Sequence, residues 1–223
     1  ESPDFVVNVG DVVTNGWEID QYDTEFFDLV GELMTTTPMY VSIGNHEAES
    51  IFYYQFFSFP NNEMWYSFDY GNARFFALDT NWLYMPGSEQ YKWLEAQLQQ
   101  AEQDQVEWKF VYCHHPAYSE GWDGYEGTKP VRYWLVPLME KYHVAAFFNG
   151  HTHDYERGEL NGVYHVLTGG GGGGLDNWVR DWPFVTVYES RYHYVKVQIA
   201  GKTAIFSAHD PDGTVFDSFT INH

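Results

Sequence analysis

Four short apolar runs, each followed at once by residues that can bind a metal ion, constrain the fold of this chain more than any other feature. The runs FVVNV, MYVSI, FVYC and VAAFFN lead into GD at 10–11, GNHE at 44–47, CHHP at 113–116 and GHTH at 150–153. Runs of this length that are rich in β-branched and aromatic residues predict buried strands. Because open α/β folds bind ligands beyond the carboxyl ends of their strands, we expect these segments to meet at one rim of a sheet.

The polar residues at these strand ends are of the types that bind transition metals. Asp11 has two carboxylate oxygens and can bridge two cations, while Asn45 has a neutral carbonyl oxygen. Imidazole nitrogens come from His114, His151 and His153. This set suits Zn, Fe, Mn or Co, and no set of thiolates is present. The two-residue spacing of the last two histidines excludes a helical HExxH site. Gly-Asp and Gly-Asn also mark turns, so the ordered set, rather than any single motif, predicts a metal centre.

The order GD, GNHE, HxP and GHxH resembles the calcineurin-like metallophosphoesterase superfamily, and GHTHDYER with the later YHVLTGGGGG is similar to its purple acid phosphatase branch. The resemblance extends from residue 3 to the C-terminal strands. It implies an α/β fold, a four-layer αββα sandwich with mixed sheets. It also implies that Asp11 bridges two metal ions, that Asn45, His114 and His151 complete one metal site, and that His153 belongs to the other.

The same resemblance implies an activity. It is metal-dependent hydrolysis of phosphate esters by a metal-bridging hydroxide, with two divalent or trivalent ions (Fe, Zn or Mn) as cofactors and a small phosphorylated molecule as substrate. His46 is the implied catalytic residue, which binds the phosphate or protonates the leaving group, and Asn45 shares in substrate binding. We expect Glu47 or a backbone carbonyl to hold the imidazole of His46.

The chain departs from the family pattern in two places. The family places an Asp-bearing strand some tens of residues before GD, whereas only ten residues precede Asp11. We therefore expect residues 1–223 to form a single catalytic domain that is N-terminally incomplete, without its first strand and helix and with one metal site incomplete. Thr14 stands where purple enzymes carry an iron-binding Tyr. These departures leave an alternative open, a non-catalytic or impaired metallophosphoesterase-like binding domain; a carbohydrate-binding surface of exposed Trp and Tyr is a third.

Charge and composition exclude several classes of partner. The chain has 32 acidic and 11 basic residues, for a formal net charge of −21, which argues against binding to nucleic acid or to an anionic membrane. No run approaches the roughly 18 apolar residues of a membrane helix. The single cysteine excludes an internal disulfide. We expect an extracellular or periplasmic protein, and the sequence does not indicate its oligomeric state.

Local patterns predict alternating strands and helices followed by a β-rich region. Helices are expected over 20–34, 89–103 and 131–142, and a hairpin over 64–78. Strands are expected over 5–9, 39–43, 108–113, 145–148, 163–167, 192–199, 203–207 and 215–221.

The sequence also predicts the roles of the glycine run and of several polar residues near the expected site. The glycines at 169–174 lack the Lys-Ser/Thr of a phosphate-binding loop and predict a backbone that approaches the metal rim or packs closely against its neighbours. Asp79 is expected in a structural turn, or as the carboxylate of the second metal site. Glu156 and Arg157 are expected to form an ion pair. His115 is expected to point away from the strand face that carries His114.

Overall fold

A computed structural model describes residues 2–223. The helices are α1 Ile19–Gln21, α2 Asp28–Met34, α3 Ile51–Phe56, α4 Glu89–Gln103 and α5 Val136–Lys141, and π-helical turns at Tyr22–Phe27 and Val131–Leu135 lead into α2 and α5. The strands are β1 Val6–Asn8, β2 Met39–Val41, β3 Tyr66–Tyr70, β4 Ala73–Ala77, β5 Trp108–Tyr112, β6 Ala146–Asn149, β7 Tyr155–Leu160, β8 Val163–Thr168, β9 Val185–Glu189, β10 Tyr194–Ala200, β11 Thr203–His209 and β12 Val215–Asn222.

The strands form three sheets. The largest has seven strands in the order β3-β4-β5-β6-β8-β7-β9. Its central strands β4, β5, β6 and β8 are parallel, and β3, β7 and β9 make antiparallel pairs at the two sides. Strands β10, β11 and β12 form an antiparallel sheet, and β1 pairs in parallel with β2. The mixed sheets are therefore present as expected.

The packing of the large sheet on both faces produces a layered structure. Successive side chains of β5 point to opposite faces, so Val111 packs with Leu98 of α4 and Met139 of α5. Its neighbour Phe110 packs on the other face, in a core shared with Phe206 of the three-stranded sheet. Val7 of β1, its flanking residues Phe5 and Val9, and Tyr40 of β2 border the same core.

A third core covers the outer side of the two-stranded sheet. Val41 of β2 packs there with Tyr22 and Phe26 of the first π-helical turn and with Tyr53 of α3. The order of layers is thus helix, sheet, sheet, helix, which confirms the αββα expectation. Within residues 2–223, no helix combines the length and hydropathy needed to cross a bilayer.

Two strands of the large sheet were not predicted. Strand β7 reads YERGEL, which is too polar to resemble a buried strand. Strand β9 reads VTVYE and follows a turn at Pro183, a local signal that sequence reasoning did not use. The predicted ion pair within β7 was wrong. Arg157 instead binds both carboxylate oxygens of Asp217, at 2.6 and 2.9 Å, while Glu156 is buried and accepts from the backbone N of Glu120. Adjacent residues of a strand face opposite sides, so they cannot pair.

Candidate metal centre

Four of the predicted donors converge at the carboxyl ends of β1, β2, β5 and β6. The Nε2 atom of His114 lies 2.9 Å from Asp11 Oδ2, 3.0 Å from Asn45 Oδ1 and 3.1 Å from His151 Nδ1. Asn45 Oδ1 and His151 Nδ1 are 2.9 Å apart. Donors that share one ion at about 2.0–2.2 Å are themselves separated by roughly 3–3.5 Å. The spacing therefore fits a single transition-metal ion bound by these four side chains.

The turn after each strand aims its donor at this point. Asp11 and His151 adopt left-handed backbone conformations, with φ of 56° and 70°, so the backbone bends sharply at each of them, just after the strand. Gly44 passes so close to Asp11 that a Cβ atom there would overlap the Asp11 carboxylate. The glycine of GNHE is therefore a packing requirement of the site.

The tautomer of His114 is set by the backbone. Its Nδ1 lies 2.9 Å from the carbonyl oxygen of Val9, which can only accept, so Nδ1 carries the hydrogen. In the neutral ring this leaves the lone pair on Nε2, the atom that faces the other donors. Such a second hydrogen bond is typical of metal-binding histidines, because it fixes both ring orientation and tautomer.

Protonation also favours metal binding. Burial, followed by the nearby imidazole of His114, lowers the pKa of His151 to about 4. Burial acts to raise the pKa of Asp11, but the hydrogen bond and charge of His114 outweigh it, and the net pKa is lowered. At neutral pH the His151 imidazole is therefore neutral and Asp11 is a carboxylate, the forms that coordinate metals.

Glu47 holds together the two loops that carry Asp11 and Asn45. Its side chain is buried, and Oε2 accepts from the backbone N of Asp11 at 2.8 Å and of Gly44 at 2.7 Å. The other oxygen, Oε1, accepts from Val12 N at 2.9 Å and Val13 N at 3.4 Å. Burial and then the charge of Asp11 raise the pKa of Glu47, and the N–H donors of Gly44 and Asp11 oppose that shift.

His46 lies beside the donors without joining them. Its backbone N donates to Asp11 Oδ1 at 2.9 Å, and its ring Nδ1 donates to the carbonyl oxygen of Thr14 at 2.6 Å. A backbone carbonyl, not Glu47, thus holds the ring. The Nε2 atom is 4.0 Å from Asp11 Oδ2, and 46% of the side chain is exposed. Thr14 contributes only its backbone to this arrangement.

His153 does not belong to the donor cluster, which among the described acidic, histidine and cysteine side chains consists of Asp11, His114 and His151. Its Nδ1 donates to the carbonyl oxygen of Gly174 at 2.7 Å, and its backbone N donates to Asp176 at 2.8 Å. Gly173 packs against the same ring so tightly that a Cβ atom would overlap it. The glycine run therefore approaches the rim as predicted, and a metal-binding role for His153 stays a prediction.

An aromatic cluster surrounds His151 on its other side. The ring of His115 lies 4.5 Å from that of His151, and its Nδ1 contacts Thr80 Oγ1 at 2.9 Å. The expectation that His115 points away was wrong, because the strand ends at Tyr112 and the alternation does not continue.

The rings of Tyr125 and Trp122 lie 5.0 and 5.3 Å from His151. The GWDGY segment that carries them has no periodic or metal-binding pattern, so sequence reasoning missed both.

Asp79 lies outside the described donor cluster. It is fully buried, and its Oδ1 accepts from the backbone N of Asn81 at 2.8 Å, as in a turn. Its own backbone N donates to Gln90 of α4. Burial, followed by the nearby carboxylate of Glu49, raises the pKa of Asp79 to about 7. These contacts favour the structural role over the metal-binding alternative.

Comparison with known proteins relates the site to a family. The model of calcineurin-like phosphoesterases matches residues 1–155. "Probable inactive purple acid phosphatase 27" of Arabidopsis thaliana is 30% identical, with 98% of this chain and 43% of that protein covered. A nucleotide pyrophosphatase/phosphodiesterase of Hordeum vulgare is 26% identical, with 98% of this chain and 72% of that protein covered.

A solved structure shows the same fold. Purple acid phosphatase PPD1 from seeds of yellow lupin (Lupinus luteus) aligns with a TM-score of 0.89 and 25% identity over 98% of this chain and 46% of that chain. The chain thus spans less than half the length of the Arabidopsis and lupin proteins. The family match covers all four strand-end motifs. The chain belongs to the calcineurin-like phosphoesterase family, and within it the chain is similar to purple acid phosphatases.

Proposed function

We propose that this chain hydrolyses phosphate esters in a metal-dependent reaction, and that Asp11, Asn45, His114 and His151 hold one metal ion. The observation that carries the proposal is the convergence of four donor atoms from four separate strand ends, each within about 3.1 Å of at least one other. The donors are carboxylate, amide and imidazole, which suit Zn, Fe or Mn. When bound, such an ion lowers the pKa of a coordinated water and neutralises charge on the phosphate.

His46 is the residue we propose to move a proton. The carbonyl of Thr14 keeps the hydrogen on Nδ1, so a second proton is gained and lost at Nε2, the atom beside Asp11. With 46% of its side chain exposed, His46 can reach a bound ester and either orient the phosphate or protonate the leaving oxygen. Asn45, which lies between His114 and His151, would contact the same phosphate.

A second ion would use Asp11 as a bridge and His153 as a ligand. The arrangement of His153 supports this part of the proposal, because a backbone carbonyl holds its Nδ1 hydrogen, as for His114. In the neutral ring the lone pair then lies on Nε2. Residues 1–223 would act as one catalytic domain, and within them Asp11 and His153 are the ligands proposed for this second site.

A metal-binding domain without turnover is the second candidate. Two observations favour it: the Arabidopsis relative is named as probably inactive, and His153 lies outside the described donor cluster. Both candidates predict metal binding, so hydrolysis is the property that separates them.

The test compares His114→Ala with a matched histidine variant, His143→Ala. His143 has an 80% exposed side chain and lies 3.8 Å from Glu102, away from the donor cluster. We expect the wild-type protein, prepared without chelators near pH 7.5, to contain at least one Zn, Fe or Mn ion per chain and to hydrolyse p-nitrophenyl phosphate. His114→Ala should lose both properties, and His143→Ala should keep both.

Three results would count against the proposal in different ways. A protein with no transition metal at any pH above 7 would refute the metal site. Hydrolysis that survives complete metal removal would refute the mechanism. Bound metal with no hydrolysis of monoesters or diesters would favour the non-catalytic candidate.

The proposal extends to partner and location. The substrate would be a small phosphorylated molecule rather than a nucleic acid, because the net charge of −21 repels polyanions. An extracellular or periplasmic location remains a prediction, and cell fractionation of the native host tests it.

A further inference from the structure

Trp122 exposes a large apolar surface directly beside the metal donors. Its side chain is 45% exposed, and its ring centroid lies 5.3 Å from that of His151. Tyr125 supports the arrangement, since its ring contacts His151 at 5.0 Å and Trp122 at 5.4 Å. An indole that is half open to solvent and half packed on a proposed metal ligand is placed where a bound substrate would touch it.

The loop that carries Trp122 is anchored at both ends. Glu120 donates its backbone N to the buried Glu156 at 2.7 Å, and its carbonyl accepts from Val179 N at 2.8 Å. On the other side, Thr128 donates its backbone N–H to the carbonyl of Pro116 at 2.8 Å, and a turn within the loop joins Tyr125 N to the carbonyl of Trp122 at 3.1 Å. The exposed indole therefore has a defined position, so stacking on it requires little further ordering of the chain.

The contacts of the donors with charged side chains bear on how an ester would be bound. Among residues 2–223, no Lys or Arg side chain forms a hydrogen bond or ion pair with the four donors or with His46. Arg132 and Arg180 lie near Glu126, at 3.7 and 3.9 Å, and Arg132 also stacks on Trp182. Apolar contact with the exposed indole is therefore one way for the site to bind the organic part of the ester.

We propose that Trp122 forms a stacking subsite for a planar aromatic group carried by the phosphate ester, either an aryl group or a nucleobase. This inference rests on the proposed function, because it places the phosphate at the metal donors. Stacking of one aromatic group on an exposed side chain contributes roughly 5- to 150-fold in affinity. Trp122 is thus a specificity-determining residue, one that distinguishes aromatic from aliphatic esters.

The test measures binding as well as turnover. Zn²⁺-loaded protein is titrated by calorimetry with phenylphosphonate and with methylphosphonate, which share the anionic group and differ in the ring. We expect Trp122→Ala to weaken phenylphosphonate about tenfold and methylphosphonate less than twofold, and Trp122→Phe to retain most of the difference. Tyr133→Ala is the matched control, because Tyr133 is a 64% exposed aromatic residue on the π-helical turn before α5. It should bind both phosphonates like the wild type.

Turnover provides a second readout. The kcat/KM of Trp122→Ala should fall about tenfold for p-nitrophenyl phosphate and remain within twofold for glycerol 2-phosphate. A similar loss with AMP would support a subsite that also takes nucleobases, and an unchanged AMP value would support an aryl subsite.

The outcomes separate this inference from the proposed function. If Trp122→Ala weakens both phosphonates equally, or weakens neither, the stacking subsite is refuted, while metal-dependent binding of methylphosphonate upholds the phosphate site. If metal-loaded wild-type protein binds neither phosphonate, both proposals fail.

Discussion

Replacement of Glu47 by Gln tests the internal support of the metal centre. The carboxylate accepts four backbone N–H groups, two on each oxygen. An amide has one oxygen, so whichever way it turns, two N–H groups face an NH₂ group. The less costly orientation keeps the bonds to Asp11 and Gly44 and gives up those to Val12 and Val13, of which the second is already long at 3.4 Å.

The magnitude follows from these bonds. A hydrogen bond to a charged acceptor contributes about 1.5–3 kcal/mol, so the loss of one good and one weak bond costs roughly 2–4 kcal/mol. The substitution also removes the buried negative charge of Glu47. Burial and the charge of Asp11 disfavour that charge and raise the pKa of Glu47, so its removal offsets part of this cost. We expect a net destabilisation of about 2 kcal/mol, which in a chain of this size lowers Tm by about 4–8 °C.

The measurement is thermal unfolding of metal-free protein, followed by Zn²⁺ titration. The control is Glu18→Gln, because Glu18 is exposed and its side chain caps no backbone group; its stability should change by less than about 0.5 kcal/mol. Zn²⁺ affinity of the Glu47 variant should fall about 10–100-fold, since Glu47 positions the loops that carry two of the proposed ligands. A Tm within 1 °C of the wild type would refute the idea that this carboxylate joins the loops.

Three further changes have expected outcomes. His46→Ala should lower kcat for p-nitrophenyl phosphate about 10²–10⁴-fold with metal content unchanged; a parallel loss of metal would assign His46 to the ligands. Chelation should lower Tm by several degrees, because a ligand at 100 times its Kd stabilises the native state by about 2.7 kcal/mol, and an unchanged Tm would argue against the site. The Tm of Asp79→Asn should exceed the Tm of the wild type, and the difference should be larger at pH 8 than at pH 5. Burial and Glu49 raise the folded pKa of Asp79 from 3.8 to about 7, so the wild type loses stability as pH rises between those values. Equal Tm differences at the two pH values would contradict that shift.

The strands that carry the site could be predicted because their signal is local. The expected strands over 5–9, 39–43, 108–113 and 145–148 correspond to β1, β2, β5 and β6, with ends that differ by at most two residues. Helix α4 has the predicted bounds, with Ser88 as the N-cap. In these segments apolar spacing, turn residues and packing all favour the same structure.

Strand β7 could not be predicted for the opposite reason. Strand β7 places Glu156 and Arg157 on opposite faces, and each is satisfied by a partner far along the chain, Glu120 or Asp217. A polar residue in a strand is stable when such a partner is present, and the local sequence does not show whether it is. The π-helical turn at Tyr22–Phe27 likewise left no signal in the apolar spacing.

The sequence by itself determined which side chains follow which strands, because strand formation depends on nearby residues and parallel strands bring their carboxyl ends to one rim. These two facts were sufficient to predict that Asp11, Asn45, His114 and His151 lie close together. Only the tertiary structure decided how they are held: the carbonyl of Val9 sets the tautomer of His114, and Glu47 joins two loops. It also decided that His153 lies apart, against Gly174. These contacts join residues far apart in the chain, so their geometry depends on how the layers pack and has no local pattern in the sequence.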